Sequence, residues 1–224
     1  MLSVDDVRAL EQLSVANGTS LLALMMRAGS ALASAVQEEL PDGGKVLVVC
    51  GSGNNGGDGW VCADQLAGMG YTVTLAVPRG AHAITAQPAF QAANMVAGVA
   101  SRGSMNLEFL INPFLDDLTA AAAESDVIVD CILGTGFADT SVRAPYSDWI
   151  ETINKAHAAG VKVIAADVPS GLNAQTGIPA YPCVEADKTV TMIAAKSGFS
   201  MAMARRFTGE LYVAYLGVDT KTRE

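Results

Sequence analysis

The chain has 224 residues, of which 50% are hydrophobic and 17% are charged. The composition supports one large buried core, and the length is too short for a second complete domain. Its formal net charge of −9 argues against a nucleic-acid surface, because phosphate neutralisation needs clustered Lys and Arg. The N-terminus has no basic-then-apolar signal, and Arg27 interrupts the most apolar early segment, so neither secretion nor a membrane span is expected.

Two helices are predicted ahead of the first strand, together covering about residues 3–37. The first, over residues 3–16, has Ser3 as its cap, and the second begins near Ser20 and carries a broad apolar stripe. Such a pair packs either across a sheet or onto a partner subunit. The sequence leaves both arrangements open.

From Lys45 onward, predicted strands and helices alternate. The strands are expected at 46–50, 72–77, 106–111, 127–130, 161–166, 189–193 and 210–215. The helices between them are expected near 59–69, 85–99, 114–124 and 146–159. Continuous apolar strands separated by helices predict an α/β fold with a mostly parallel sheet covered on both faces.

The first strand runs directly into five glycines within nine positions, from Gly51 to Gly59. A loop with so few side chains lets the backbone approach a ligand, and the N–H groups that open the next helix can hold an anion. The segment is therefore interpreted as a nucleotide-binding loop. In parallel sheets the ligand lies beyond the carboxyl ends of the strands, which is where this loop falls.

The glycines at 51, 53 and 56 match the G-x-G-x-x-G pattern of dinucleotide folds, but the context does not. That pattern requires an acidic residue at the end of the second strand, and here the strand ends in Pro78-Arg79. Arg79 could hold a 2′-phosphate instead. Polar side chains at Asn54, Asn55 and Asp58 also stand where the pattern needs none, which indicates that something besides a pyrophosphate is held.

Two aspartates, Asp130 and Asp167, each close an apolar strand. A desolvated carboxylate is costly unless it is paired, hydrogen-bonded or bound to a cation. With Asn55 and Ser170 they supply only oxygen donors, the ligand set of a hard cation. The alternative is that each aspartate accepts backbone N–H bonds from the loop that follows it.

Three further features have two interpretations each. Asp58 is favoured as a helix N-cap over a catalyst, and the Gly134–Gly136 segment is either a plain turn or a ligand-facing loop. Lys196 lies just past the end of a strand, where ligands bind in such sheets, so it either contacts a phosphate or is exposed to solvent. The two histidines are too few for a triad or a zinc site, and the four cysteines show no C-x-x-C spacing, as in buried free thiols of a cytoplasmic protein.

Taken together, the segments 53–59, 130–136 and 167–173 resemble, in order and spacing, the NAD(P)H-hydrate epimerase family. The likeness extends from residues 24–29 to residues 209–211. It implies a Rossmann-like three-layer α/β/α sandwich with about seven to eight strands, a single domain over residues 1–224, and a homodimer. It also implies metabolite repair, the interconversion of the R and S hydrates of NADH and NADPH.

The resemblance assigns site residues by position. Those implied to contact the hydrate are Asn54, Asn55, Gly56, Gly57, Asp58, Gly134, Thr135, Gly136, Phe137, Ala138, Asp139, Thr140 and Asp167. Those implied to bind a potassium ion are Asn55, Asp130 and Ser170. The chemistry of the hydrate suggests that a general acid protonates a departing hydroxyl group, and Asp167 is the candidate, with Lys196 tuning it.

Two departures from the family pattern are Met26, where Glu is frequent, and Cys131, where Ala is more usual. The expected functional partner is an ADP- or ATP-dependent NAD(P)H-hydrate dehydratase that accepts the S form, so the chain is either a stand-alone epimerase or one half of a longer product. The main alternative is a non-catalytic nucleotide- or protein-binding module of the same fold. A nicotinamide oxidoreductase is disfavoured by the missing ribose acid.

Overall fold

A computed structural model describes residues 1–100 and 106–220. Within them, seven strands form one sheet in the order β3-β2-β1-β4-β5-β6-β7, and every neighbouring pair is parallel. The strands are β1 (Lys45–Cys50), β2 (Thr72–Val77), β3 (Leu107–Ile111), β4 (Val127–Cys131), β5 (Lys162–Ala166), β6 (Lys188–Met192) and β7 (Glu210–Ala214). The predicted parallel α/β sheet is confirmed, and 101–105 and 221–224, included in the domain prediction, lie outside the described residues.

Seven α-helices accompany the sheet in the described ranges. They are α1 (Val4–Ala16), α2 (Leu21–Glu39), α3 (Asn54–Gly68), α4 (Ala89–Ala100), α5 (Leu115–Glu124), α6 (Tyr146–Ala158) and the short α7 (Arg205–Thr208). Short 3-10 turns lie at Ala81–Ala83, Ser197–Ser200 and Ala202–Ala204. Ser3 caps α1 through its side-chain oxygen, as predicted, and Ser20 caps α2 in the same way.

The strands alternate their apolar side chains between two cores. On one face α2, α3 and α4 pack against residues such as Val48, Val129 and Ile164. On the other face α5 and α6 pack against the intervening positions, such as Leu47 and Ile128. This period-two alternation produces the three-layer sandwich.

The two N-terminal helices play different parts. Helix α2 belongs to the core on one face of the sheet, with Leu32 fully buried. Helix α1 packs with Val7 and Leu10 against Ile193, just beyond the carboxyl end of β6. Of the two arrangements left open by the sequence, packing on the sheet therefore applies to α2, while α1 lies over the edge where the candidate ligand loops emerge.

Helix α3 begins five residues earlier than the sequence indicated. Its N-cap is Gly53, in an extended conformation, and no side chain caps it. Glycine has low helix propensity, so the pattern did not favour a helical turn there, but packing against α2 and the strands overrides that preference. The expectation that Asp58 is the N-cap was wrong, because Asp58 lies in the second turn of the helix.

Candidate functional site

A cavity of about 540 Å³ opens at the carboxyl edge of the sheet, beside β1 and β4, where the winding direction reverses. It is bounded by the loop after β1, the start of α3, the loop after β4 and the end of β5. Helix α1 contributes a further wall. Its polar lining residues are Arg8, Glu11, Ser52, Asn54, Asn55, Asp58, Thr135, Tyr146 and Asp167.

The glycines after β1 permit close packing of backbone at this edge. A side-chain carbon on Gly51 would lie 2.0 Å from the carbonyl oxygen of Ile132, and one on Gly56 would lie 2.1 Å from the carbonyl oxygen of Gly51. Gly53, by contrast, has open space around it and faces the cavity. Two of these glycines therefore bring β1, β4 and α3 together, and one leaves room at the start of the helix.

Asp130 is fully buried and holds the loops after β4 and β5 together. Its Oδ1 accepts hydrogen bonds from Ser170 Oγ at 2.6 Å and from the Ile132 N–H at 3.2 Å, and its Oδ2 accepts from the Ser170 N–H at 2.8 Å. Burial raises the pKa of Asp130 to about 6, although the Ser170 and Ile132 hydrogen bonds oppose the rise. The alternative interpretation, an aspartate that accepts N–H bonds from the loop after its strand, is confirmed for Asp130. The described residues place no cation beside this carboxyl group.

Asn55 and Ser170 meet at the main chain of Leu133. Asn55 Nδ2 donates to the Leu133 carbonyl at 3.2 Å, and Ser170 Oγ lies 3.3 Å from the same oxygen. The structure thus brings Asn55, Asp130 and Ser170 into one oxygen-rich cluster below the cavity. Amide, hydroxyl, carbonyl and carboxylate oxygens suit a hard cation, and the raised pKa of Asp130 marks a charge that such an ion would offset.

Asp167 stands on the cavity wall in a left-handed backbone conformation, with φ of 61°. Its turn is closed by a bond from the Val168 N–H to the Ala166 carbonyl, 2.7 Å long. Its Oδ1 accepts hydrogen bonds from the Met192 N–H at 3.0 Å and from the Lys196 ammonium. An aspartate tolerates this backbone region better than most residues, and the turn directs its carboxylate toward β6.

Lys196 is fully buried behind Asp167. Besides Asp167, its ammonium donates to Thr191 Oγ1 and to the Met192 carbonyl, both at 2.9 Å. Both earlier interpretations of Lys196, on a phosphate or in solvent, were wrong. The strand-end position was correctly singled out, but burial directs this lysine onto a carboxylate.

Two more carboxyl groups face the same wall. Burial, followed by repulsion from Asp167 and Glu11, raises the pKa of Asp58 well above its ordinary value, and Lys196 opposes the rise. Burial and then Asp167 raise the pKa of Glu11, against Lys196 and Arg8. The cavity therefore combines one ion pair with two carboxyl groups that resist ionisation, an arrangement suited to proton transfer.

The residues predicted to contact the hydrate fall into three sets. Those that line the cavity are Asn54, Asn55, Asp58, Gly134, Thr135, Gly136, Phe137 and Asp167. Gly56 and Gly57 are buried in α3, against Gly51 and against Met25 and Ala89, and Ala138, Asp139 and Thr140 lie beyond the lining as exposed residues. Three other predicted site residues lie buried behind the cavity lining, namely Asp130 and Ser170, assigned to the potassium ion, and Lys196, assigned to catalysis. The Gly134–Gly136 segment is therefore a cavity-facing loop.

Sequence reasoning missed four polar lining side chains, namely Arg8, Glu11, Ser52 and Tyr146. The hydroxyl groups of Ser52 and Tyr146 lie 3.4 Å apart, and both side chains line the cavity. Arg8 and Glu11 are one turn apart on α1. The polar face of this amphipathic helix was the signal in the sequence that could have identified them. Arg79, considered for a 2′-phosphate, is exposed and lies outside the lining.

The remaining side chains agree with their expected structural roles. All four cysteines are buried free thiols. His157 Nε2 lies 3.3 Å from Asp187 Oδ2, away from the cavity lining. In residues 1–100 and 106–220, no helix combines the length and apolar character needed to cross a bilayer.

Comparison with known proteins identifies relatives over most of the chain. The model of the family described as YjeF-related protein N-terminus matches residues 21–198. A bifunctional NAD(P)H-hydrate repair enzyme of Coxiella burnetii is 39% identical over 213 residues, covering 95% of this chain and 40% of that enzyme. An NAD(P)H-hydrate epimerase of Rhodopirellula baltica is 33% identical over 195 residues, covering 87% of this chain and 75% of the relative.

The chain spans about two fifths of the length of the bifunctional relatives that it matches, including the Escherichia coli enzyme, of which it covers 39%. Among solved structures, that of the yeast protein YNL200c superimposes with a TM-score of 0.78 at 24% identity. It covers 95% of this chain and 87% of the yeast chain. That likeness establishes the three-layer fold.

Proposed function

The chain belongs to the YjeF-related protein N-terminus family, and we propose that it interconverts the R and S hydrates of NADH and NADPH. The observation that carries the proposal is the cavity at the β1/β4 switch point, where Asp167, paired with buried Lys196, faces the glycine-rich start of α3. An open cavity of about 540 Å³ suits the hydrated ring with its nearby ribose and phosphates.

The chemistry of the hydrate defines what the site must do. The carbon to be inverted bears a hydroxyl group and is bonded to the ring nitrogen. When the nitrogen lone pair forms a C=N bond, the C–O bond breaks, the oxygen takes the bonding electron pair and one proton, and water leaves. Water then adds to the other face of the planar iminium, gives up a proton, and returns the lone pair to nitrogen.

Asp167 is the group assigned to this proton transfer. Lys196, the Met192 N–H and the Thr191 hydroxyl surround its Oδ1, with Thr191 Oγ1 at 3.4 Å, so these donors orient the carboxyl group. The same carboxyl group that protonates the departing oxygen can accept a proton from the returning water. A carboxylate beside the iminium also stabilises the positive charge that develops on the ring.

A potassium ion fits the cluster of Asn55, Asp130 and Ser170 described above. The ion would supply positive charge beneath the loops after β1 and β4, where the phosphates of the hydrate are expected. The chain's own residues fix these loops, because Ser170 bonds both Asp130 and the Leu133 N–H, the latter at 2.8 Å.

Epimerisation alone does not restore the cofactor, so an ADP- or ATP-dependent dehydratase for the S hydrate is proposed as the functional partner. The names of the bifunctional relatives support this pairing of activities. The homodimer and the cytoplasmic location stay predictions.

The test is to incubate purified protein with separated R hydrates of NADH and NADPH and to follow conversion to the S forms by chromatography. Asp167→Asn should lower kcat about 100-fold or more with little change in hydrate binding. Asp42→Asn, in the exposed turn before β1 at the opposite edge of the sheet, is the matched control. A binding module would bind the hydrate and leave the R-to-S ratio unchanged, which would overturn the proposal.

A further inference from the structure

Four charged side chains from four different segments gather at one wall of the cavity. Glu11 comes from α1, Asp58 from α3, Asp167 follows β5 and Lys196 follows β6. Arg8, one turn before Glu11, is the further charged group near it. With these four and Arg8 all ionised, the wall would carry three negative charges and two positive charges, and Arg8 also pairs with Asp5 at 3.6 Å.

The single amine of this group does not neutralise the two outer carboxyl groups. Lys196 is buried and forms its ion pair with Asp167, while its other hydrogen bonds go to Thr191 and Met192. Glu11 and Asp58 line the same cavity as the Asp167 carboxylate, each from a partly buried position. Like charges at such a site raise one another's pKa values, so ionisation of the whole cluster is disfavoured.

The main chain fixes α1 to the segment that carries Lys196. The Leu2 N–H donates to the Ala195 carbonyl at 2.9 Å, and the Ser197 N–H donates to the Leu2 carbonyl at 2.8 Å, so these bonds flank Lys196 on both sides. The Val4 N–H also donates to Gln175 Oε1 at 2.9 Å. The isolated β-bridge between Leu2 and Lys196 therefore anchors the N-terminal end of α1, the helix that carries Glu11.

We propose that Glu11 is a positioning residue for the reaction, whose charge keeps one proton on the carboxyl cluster at neutral pH. This inference rests on the proposed epimerase function. Glu11 lies outside residues 24–211, over which the resemblance extends, and outside residues 21–198, the part that the family model matches.

The retained proton is the one that the departing oxygen requires. It passes from the cluster, through Asp167, to that oxygen as the C–O bond breaks, and the cluster becomes one unit more negative. When water adds to the iminium, the released proton returns to the cluster, so no net proton is consumed. Burial and the neighbouring carboxylates raise the pKa values of Glu11 and Asp58, in agreement with a cluster that holds a proton.

The test compares the pH dependence of kcat in the wild type, Glu11→Gln and Glu11→Asp. Glutamine removes a negative charge that raises the pKa of Asp58, so the cluster releases its proton at lower pH. The alkaline limb of the profile should move down by about one pH unit, which is about a tenfold lower kcat on that limb, with KM little changed. Glu11→Asp keeps the charge and should restore the wild-type midpoint.

Glu124→Gln is the control, since Glu124 is exposed and pairs with Lys45 at 3.0 Å, at the opposite end of β1. A second readout follows the carboxyl carbon resonances of Asp and Glu by NMR during a pH titration. The Asp58 midpoint should fall in Glu11→Gln and stay unchanged in Glu124→Gln.

The outcomes separate the two proposals. Unchanged alkaline midpoints and an unchanged Asp58 titration in Glu11→Gln would overturn the role of Glu11, as would equal shifts in Glu11→Gln and Glu11→Asp. A wild-type protein that does not interconvert the hydrates would overturn the proposed function. In that case the NMR midpoints still decide whether Glu11 holds the proton on the cluster.

Discussion

Lys196 lies directly behind Asp167, and its ammonium group donates to Oδ1 of that carboxylate with none of the lysine side chain exposed to solvent. Asp167 is itself only 14% exposed. A buried ion pair of this kind is costly to break, because the remaining partner keeps its charge without compensation. The pair therefore links the stability of the β5–β6 edge to the chemistry of the cavity.

Replacing Lys196 with Met is expected to destabilise the protein by about 3–5 kcal/mol, since it leaves Asp167 without its cation. Urea unfolding followed by circular dichroism measures the loss. The double variant Lys196→Met/Asp167→Asn should lose less than the sum of the single variants, because the second change removes the stranded charge. Lys162→Met, at an exposed ion pair with Asp187, is the control and should cost under about 1 kcal/mol. Additive losses would contradict the coupling.

The fold could be predicted from the sequence because its signals are local. The apolar runs of β1, β4 and β5 are short and bounded by helical patterns, and each was found within one or two residues of its observed ends. The start of α3 was misplaced because Gly56, Gly57 and Gly59 lower helix propensity, and only tertiary packing restores the helix.

The candidate site was predictable in part for a different reason. Parallel strands deliver their carboxyl ends to one edge, so Asp130, Asp167 and Asn55 could be grouped from their positions alone. Glu11 could not, because α1 reaches the cavity through its packing on distant segments, those after β5 and after β6. The burial of Lys196 could not be predicted either, since the sequence does not show which lysine at the end of a strand points into the protein.

Potassium is expected to stabilise the protein in a pH-dependent way. Burial raises the pKa of Asp130 to about 6 in the folded chain, above the value of about 4 in the unfolded chain. The protonated carboxyl group therefore contributes stability that is fully present below about pH 4 and is lost as the pH rises through 6. A bound cation offsets that loss, so potassium should raise Tm at pH 7.5 and have little effect at pH 4.5.

The measurement is thermal unfolding in potassium chloride and in choline chloride at equal ionic strength. Asp130→Asn should abolish the difference between the two salts at pH 7.5, and removal of potassium by dialysis should reverse the stabilisation in the wild type. Asp117→Asn, in the exposed first turn of α5, controls for net charge. Equal Tm values of the wild type in both salts at pH 7.5 would rule out the potassium site.

The close packing of α3 on the sheet can be tested by substituting two glycines of that helix. A side-chain carbon on Gly59 would lie 2.4 Å from Cys50 Sγ and 2.8 Å from Cys131 Cβ, where the helix crosses β1 and β4. Gly59→Ala should therefore destabilise the protein by about 1–3 kcal/mol and reduce activity by displacing Asn55 and Asp58. Gly68, at the other end of the same helix, has no atom within 4 Å of such a carbon. Gly68→Ala should add about 0.5 kcal/mol, because alanine favours the helix. Urea unfolding of both variants measures these changes in the free energy of unfolding. If Gly59→Ala caused no loss of stability, α3 would not approach the strands this closely.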